Sequence, residues 1–202
     1  MKKKCSILIC LILIFIANTI LVLNDGFSTI DSSVYNFLIR FTSEMTNKFM
    51  HFITFFGSTA WIIALCAVIF IGLLIKKSSK KGFSLASLII VSTLINNGIK
   101  LIIRRPRPEY ITVIEHSFAY PSGHTMAACT VYGFIIYLIN KSEMTKRYKM
   151  LFSTALALLI AFVGISRIYL GAHFFSDVFS GIILSSAILL VFDMINEKKN
   201  II

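Results

Sequence analysis

Acidic residues are scarce in this chain of 202 residues: nine Asp and Glu stand against 20 Lys and Arg. They form no cluster that could hold a pair of metal ions, so no metal and no cofactor are expected. Cysteine is also sparse. Cys5, Cys10, Cys66 and Cys129 all lie in apolar runs, none at metal-ligand spacing, and read as small packing residues. There is no internal repeat, no low-complexity segment and no sign of a second domain. No segment looks soluble and carries a basic stripe with interleaved aromatics, so the net charge of +11 is read without a nucleic-acid partner. What fills the chain is apolar. Hydrophobic residues make up 57% and the mean hydropathy is +0.85, where a soluble domain averages about 45–50% apolar.

The apolar residues gather into six segments, at about 5–23, 50–75, 83–103, 124–140, 150–166 and 175–194. A helix needs about 20 apolar residues to span a bilayer. The expected fold is therefore all-α: one membrane-embedded domain over 1–202, a bundle of six transmembrane helices in contact with the lipid bilayer. Lys2–Lys4 ahead of an apolar run could open a signal peptide. The run from Ile7 to Leu23 is long for that role, and a retained first span is preferred. With the N-terminus inside, 13 of the 20 basic residues fall on the inner side: Lys2, Lys3, Lys4, Lys76, Lys77, Lys80, Lys81, Lys141, Lys146, Arg147, Lys149, Lys198 and Lys199. That bias puts both termini in the cytoplasm of a multi-pass protein of the cell membrane. Residues 31–48 differ: Val34, Phe37, Leu38, Phe41 and Met45 follow helical spacing on one face, with Asp31, Ser32 or Ser33 as a candidate cap. This predicts a short amphipathic helix at the outer interface.

Basic residues expected on the outer side are concentrated in two short stretches. Lys100, Arg104, Arg105 and Arg107 lie within eight positions, Arg107 held between Pro106 and Pro108. Cations so close repel one another unless an anion joins them, and the prolines stiffen the loop. Snorkelling at a helix end explains Lys100 and Arg104 but explains Arg107 poorly. Pro121-Ser122-Gly123-His124 follows, where Ser122 can cap a helix and Gly123 lets a ligand approach the backbone. A helix N-terminus there is a ready anion site. Taken alone, His124 reads as an interfacial histidine. The third stretch runs from Ser166-Arg167 to His173 and Asp177. His173 and Asp177 are i and i+4 neighbours if helical. They read equally as a structural pair or as an imidazole whose tautomer is fixed for attack. Taken together, Lys100, Arg107, Arg167 and the N–H groups near Ser122 and Gly123 would hold a phosphoryl group. His173 would attack it, and His124 would protonate the leaving oxygen.

These three spaced stretches, 100–108, 121–124 and 166–177, resemble the signature of the type 2 phosphatidic acid phosphatase superfamily, intact, in order and correctly spaced. The short loop from Pro108 to Pro121 resembles the small bacterial members. The resemblance implies a six-helix transmembrane fold and a phosphatase acting on a membrane lipid. Phosphatidylglycerophosphate and undecaprenyl diphosphate are the leading substrates. It implies His173 as nucleophile, Asp177 as its partner, His124 as acid, and Lys100, Arg107, Ser122, Gly123 and Arg167 as phosphate ligands. Arg105 matches a further arginine often seen in the family and is expected among the phosphate-binding residues. The active site is expected on the outer face. Two other readings remain at this point: a lipid-phosphate binding or transport protein without catalysis, and a vanadate-dependent haloperoxidase, against which the apolar spans argue.

Overall fold

The computed structural model describes every residue except Ile111, Ile114 and 200–202. Among the described residues there are eight helices and no strand: α1 (Lys2–Leu23), α2 (Ser28–Ile39), α3 (Glu44–Phe55), α4 (Thr59–Ile75), α5 (Ser79–Ile103), α6 (Gly123–Lys141), α7 (Lys146–Tyr169) and α8 (Phe175–Lys199). Four of them, α1, α5, α7 and α8, are long and apolar enough to cross a membrane. Their outward faces carry bare Leu, Ile and Phe, among them Ile9, Leu13, Leu94 and Leu158. Such continuous exposed apolar surface suits lipid rather than water.

The segment expected as one span over 50–75 is broken. α3 and α4 meet at an angle of 47°, and only if the bent pair is taken as one span do the apolar spans number five. The break has local and tertiary causes. Ser58 caps α4 by accepting from the Trp61 N–H at 3.3 Å. Tyr132 Oη on α6 donates to the Phe56 carbonyl at 2.7 Å and accepts from Trp61 Nε1 at 2.9 Å. Gly57 lies so close to α6 and α7 that a Cβ would meet Val163 Cγ1 at 2.6 Å and the His124 carbonyl oxygen at 3.1 Å. A larger residue would push the bend off the site.

The expected segment 124–140 is α6, which falls outside the set of helices apolar enough to span by composition. It packs against α4, α5, α7 and α8. With Thr125, Ala128, Thr130, Val131 and Phe134 all essentially buried, it meets protein on most sides. A helix shielded from lipid can carry hydroxyls, provided they are bonded. Thr130 Oγ1 donates to Ser92 Oγ on α5 at 3.0 Å, and Thr125 Oγ1 to Ser122 Oγ at 2.9 Å.

The amphipathic stretch 31–48 is not one helix. It divides between α2 and the start of α3, where Ser43 caps by accepting from the Thr46 N–H at 3.0 Å. Phe37, Phe41 and Met45 are exposed as an interfacial face requires, while Leu38 packs on Met50, Tyr169 and Leu170. The cap assignment is corrected. α2 begins at Ser28, which puts Asp31 in its first turn. Asp31 is 1% exposed and bonded to another helix.

Candidate active site

All three motif stretches converge at one end of the bundle. α5 ends at Ile103, and the left-handed φ of 50° at Arg104 turns the chain out of the helix. Pro106 and Pro108 then keep the chain extended. At the end of α7, Gly171 takes φ +65°, and a Cβ there would meet the Tyr110 carbonyl oxygen at 2.6 Å. That turn delivers His173 between α7 and α8. His173 is 2% exposed and Asp177 is fully buried.

His173 faces a cavity of 460 Å³ that Lys100, Arg107, Glu115, Ser117, Gly123 and His124 also line. Farther down, Ser92, Asn96, Thr130 and the apolar Ile62, Ile89 and Met126 form its walls between α4, α5 and α6. Arg107 Nη1 lies 3.2 Å from His173 Nε2 and donates to the Ala172 carbonyl at 2.7 Å. A guanidinium only donates, so Nε2 must be the accepting nitrogen. The ring proton then sits on Nδ1, directed at Asp177 Oδ2, 3.4 Å away. Nε2 therefore turns its lone pair to the Arg107 guanidinium at the cavity wall. Burial, followed by the charges of Arg167, Arg107 and Lys100, holds the His173 imidazole well below the usual histidine range. That shift favours the uncharged ring, the form in which an imidazole can act as a nucleophile.

Lys100 Nζ donates to the Phe118 carbonyl at the cavity edge. Gly123 and His124 open α6 at the wall, and the Ser122 side chain makes no capping bond to them. The first-turn N–H groups are thus available to an anion. Ser122 itself is fully buried. Its own N–H is engaged by the Asp177 carbonyl at 3.1 Å, and its hydroxyl accepts from Thr125. Arg167, 2% exposed, lies behind the cavity wall with Nη1 donating to Thr54 Oγ1 at 2.8 Å and Nη2 paired with Glu115. Among the described residues its buried Nε has no hydrogen-bond partner, and an unmet donor of this kind costs about 1–3 kcal/mol.

Two carboxylates carry weight that sequence reasoning missed. Glu115 bridges the cations, with Oε1 on Arg167 and Oε2 3.3 Å from Arg107 Nη2. It lies where the cationic cradle would otherwise hold an anion. No spacing rule marks it, because it sits in the loop between two motifs. Asp31 comes from α2 and pairs with Arg105 at 2.8 Å. This corrects the expectation for Arg105. Its guanidinium does not line the cavity; it sits behind His173, between Asp31 and Asp177, with Nη1 2.6 Å from Asp177 Oδ1. Phe174 covers it, ring centroid 4.2 Å from Cζ. Among the described residues no group of three or more His, Cys, Asp or Glu could hold a metal ion.

An all-helical, lipid-exposed bundle with a neutral, carboxylate-backed histidine in a cation-lined cavity is the architecture of a membrane phosphatase. The chain belongs to the PAP2 superfamily, whose profile matches residues 81–200. It is 28% identical to phosphatidylglycerophosphatase B of Bacillus subtilis (strain 168) over 191 residues, 93% of this chain and 94% of that protein. It is 29% identical over 117 residues to lipid phosphate phosphatase delta of Arabidopsis thaliana, covering 52% of this chain and 28% of that longer protein. The crystal structure of the transmembrane PAP2-type phosphatidylglycerolphosphate phosphatase from Bacillus subtilis superposes with a TM-score of 0.87 at 28% identity, over 98% of each chain. Aquifex aeolicus LpxE shares the fold, with a TM-score of 0.62 at 23% identity over 82% of this chain and 93% of that one. The chain is thus a multi-pass membrane lipid phosphatase of this superfamily.

Proposed function

We propose that this phosphatase removes the terminal phosphate of a membrane lipid through a phosphohistidine on His173, with phosphatidylglycerophosphate as the leading substrate. The observation that carries the reading is the His173 Nε2 lone pair facing the Arg107 guanidinium across 3.2 Å, with Asp177 behind the ring. A phosphoryl group entering here displaces Glu115 and takes Arg107, Arg167, Lys100 and the first-turn N–H groups of α6 as donors. Nε2 attacks phosphorus as the bond from phosphorus to the lipid oxygen breaks, and His124 gives that oxygen its proton. Water then attacks phosphorus while His124 takes a proton from it; the phosphorus–nitrogen bond breaks with its electron pair returning to Nε2, and inorganic phosphate leaves with His173 neutral again. The guanidinium and ammonium groups offset the charge on the equatorial oxygens without a metal ion.

The preference for phosphatidylglycerophosphate rests on the similarity to phosphatidylglycerophosphatase B along nearly the whole chain. Undecaprenyl diphosphate is the second substrate, since its terminal phosphate presents the same group to the same cations. The basic residues Lys76, Lys77, Lys80, Lys81, Lys141, Lys146, Arg147 and Lys149 lie in or beside the connections from α4 to α5 and from α6 to α7, away from the site. The positive-inside bias then makes that end cytoplasmic and the site outward-facing.

The test is phosphate release by the purified full-length protein in EDTA, with phosphatidylglycerophosphate, a polyprenyl diphosphate and phosphatidate compared. Turnover in EDTA with phosphatidylglycerophosphate preferred supports the reading; loss in EDTA restored by a divalent ion overturns the metal-free mechanism. His173→Ala should lower kcat by more than about 10⁴-fold, the scale seen when a nucleophile is removed. Acid-labile label from ³²P-lipid should appear on wild type and be missing from that variant.

A further inference from the structure

Asp31 takes no part in the chemistry just described, yet it is buried in α2 with a full set of partners. Its Oδ1 accepts from the Ser176 N–H at 2.9 Å, and its Oδ2 accepts from Ser176 Oγ and Arg105 Nη2, both at 2.8 Å. Burying a lone carboxylate costs several kcal/mol, so three donors are what allow it to sit there. Two of these contacts reach the catalytic carboxylate. Arg105 holds Asp177 Oδ1 with its Nη1, and Ser176 precedes Asp177 in the first turn of α8. The Ser176 N–H is one of the donors a helix start leaves unmet, and Asp31 meets it from another helix.

We propose that Asp31 is a positioning residue for the lipid phosphatase reaction, acting through Arg105 and Ser176 to hold Asp177 in register with His173. The inference rests on His173 being the nucleophile. A guanidinium with one carboxylate partner turns both arms of its fork toward it. Asp31 occupies the second arm of Arg105, so that Asp177 keeps Oδ2 for His173 Nδ1 at 3.4 Å and the Phe174 N–H at 3.0 Å. Asp31 also offsets the charge of Arg105. Without it the net positive charge behind the imidazole rises, His173 becomes less basic, and attack on phosphorus slows. The phosphate cradle is untouched, because neither Asp31 nor Arg105 lines the cavity.

The experiment measures kcat and KM of wild type, Asp31→Asn, Arg105→Gln, the double variant and His173→Ala on a lipid phosphate and on p-nitrophenyl phosphate, per folded molecule. Asp31→Asn should lower kcat about 10–100-fold, the range for losing a group that orients a histidine through its partner, with KM for p-nitrophenyl phosphate unchanged. The acid limb of kcat should move to lower pH. The double variant should lose no more than Arg105→Gln alone, since both act on one path. Unchanged kcat per folded molecule, a rise in KM alone, or losses that multiply in the double variant would each overturn the proposal. Where Asp31→Asn gives no folded protein, Asp31→Glu keeps the charge and should retain KM while lowering kcat; full kcat there also sinks it. Turnover by His173→Ala would instead count against the phosphohistidine, separating the two failures.

Discussion

The two faces of the His173 ring are built from opposite charges. In front stand Lys100, Arg107 and Arg167, with Glu115 between the two guanidiniums. Behind stand Asp177 and Asp31, with Arg105 between the two carboxylates. Each side is thus a charge sandwich, and in the proposed mechanism only the front one exchanges its filling, Glu115 giving way to phosphate. Lys100, Arg107 and Glu115 of the front line the cavity that His173 faces, with Arg167 behind its wall; at the back both carboxylates are 1% exposed or less. An exchangeable anion among fixed cations makes a phosphate site. A fixed cation among fixed anions makes a support. Arg105 and Arg107, two residues apart in one loop, belong to different machines: Arg105 reaches Asp31 and Asp177, while Arg107 reaches His173 Nε2 and Glu115.

The sharpest way to break the contrast is at His124, the front-side group assigned to the leaving oxygen. His124→Ala should cost about 10²–10⁴-fold in kcat on a lipid phosphate, the usual worth of general acid–base catalysis. It should cost far less in the phosphorylation step with p-nitrophenyl phosphate, whose leaving oxygen needs no proton. Equal losses in burst-phase kinetics on both substrates would remove His124 as the acid.

Next in size is the pair of arginines. Arg107→Lys should lower kcat/KM about 10²–10³-fold, with KM raised for lipid and short phosphate alike, because a point charge cannot replace the fork. Arg105→Lys should act on kcat at unchanged KM. If the two variants share one kinetic signature, front and back are not separate.

A smaller effect is expected at Glu115, the anion already in the cradle. Glu115→Gln should raise affinity for inorganic phosphate or vanadate about tenfold, since the entering anion no longer displaces a charge. It should also lower Tm without ligand, because breaking a buried pair leaves cations uncompensated. Phosphate should restore that Tm more than it does in wild type. Weaker phosphate binding, read by calorimetry, would make Glu115 a ligand organiser instead.

The mildest prediction concerns pH. His173 is held neutral by burial and by the front-side cations, its pKa well below 6.5. A depressed histidine pKa means that protonation, which removes the nucleophile, comes only at lower pH. Free-enzyme kcat/KM should therefore stay level as pH falls through 6.5 and drop below it. The same shift lowers stability under acid. Unfolded chains take up the proton near 6.5 and the folded chain does not, so stability falls once pH passes below that value. An acid limb in kcat/KM at or above 6.5 would contradict the burial of the ring.

Much of this was legible in the chain itself. Apolar runs long enough to span lipid fix an all-helical membrane bundle, since only helices or closed barrels satisfy the backbone there. The motif residues could be read because each set is local: His173 sits in the short turn leading into α8, close to Asp177 in its first turn, and Gly123 opens α6, whatever the rest of the chain does. The break after Phe56 could not be read, because Gly57 is required by its contact with Val163 and His124, far away in sequence. Nor could the division of the 31–48 stretch, whose apolar period runs on across it. Arg105 lies five residues from Lys100 and Arg107 seven, and nothing in that spacing says which one meets the cavity. Glu115 and Asp31 carry no motif; their roles exist only because the fold sets them between charges from other segments. The sequence determined by itself the membrane, the helices and the phosphate chemistry, because those follow from hydropathy and short-range spacing. The tertiary structure alone decided which charges face the histidine and which support it, because that depends on burial and on long-range approach.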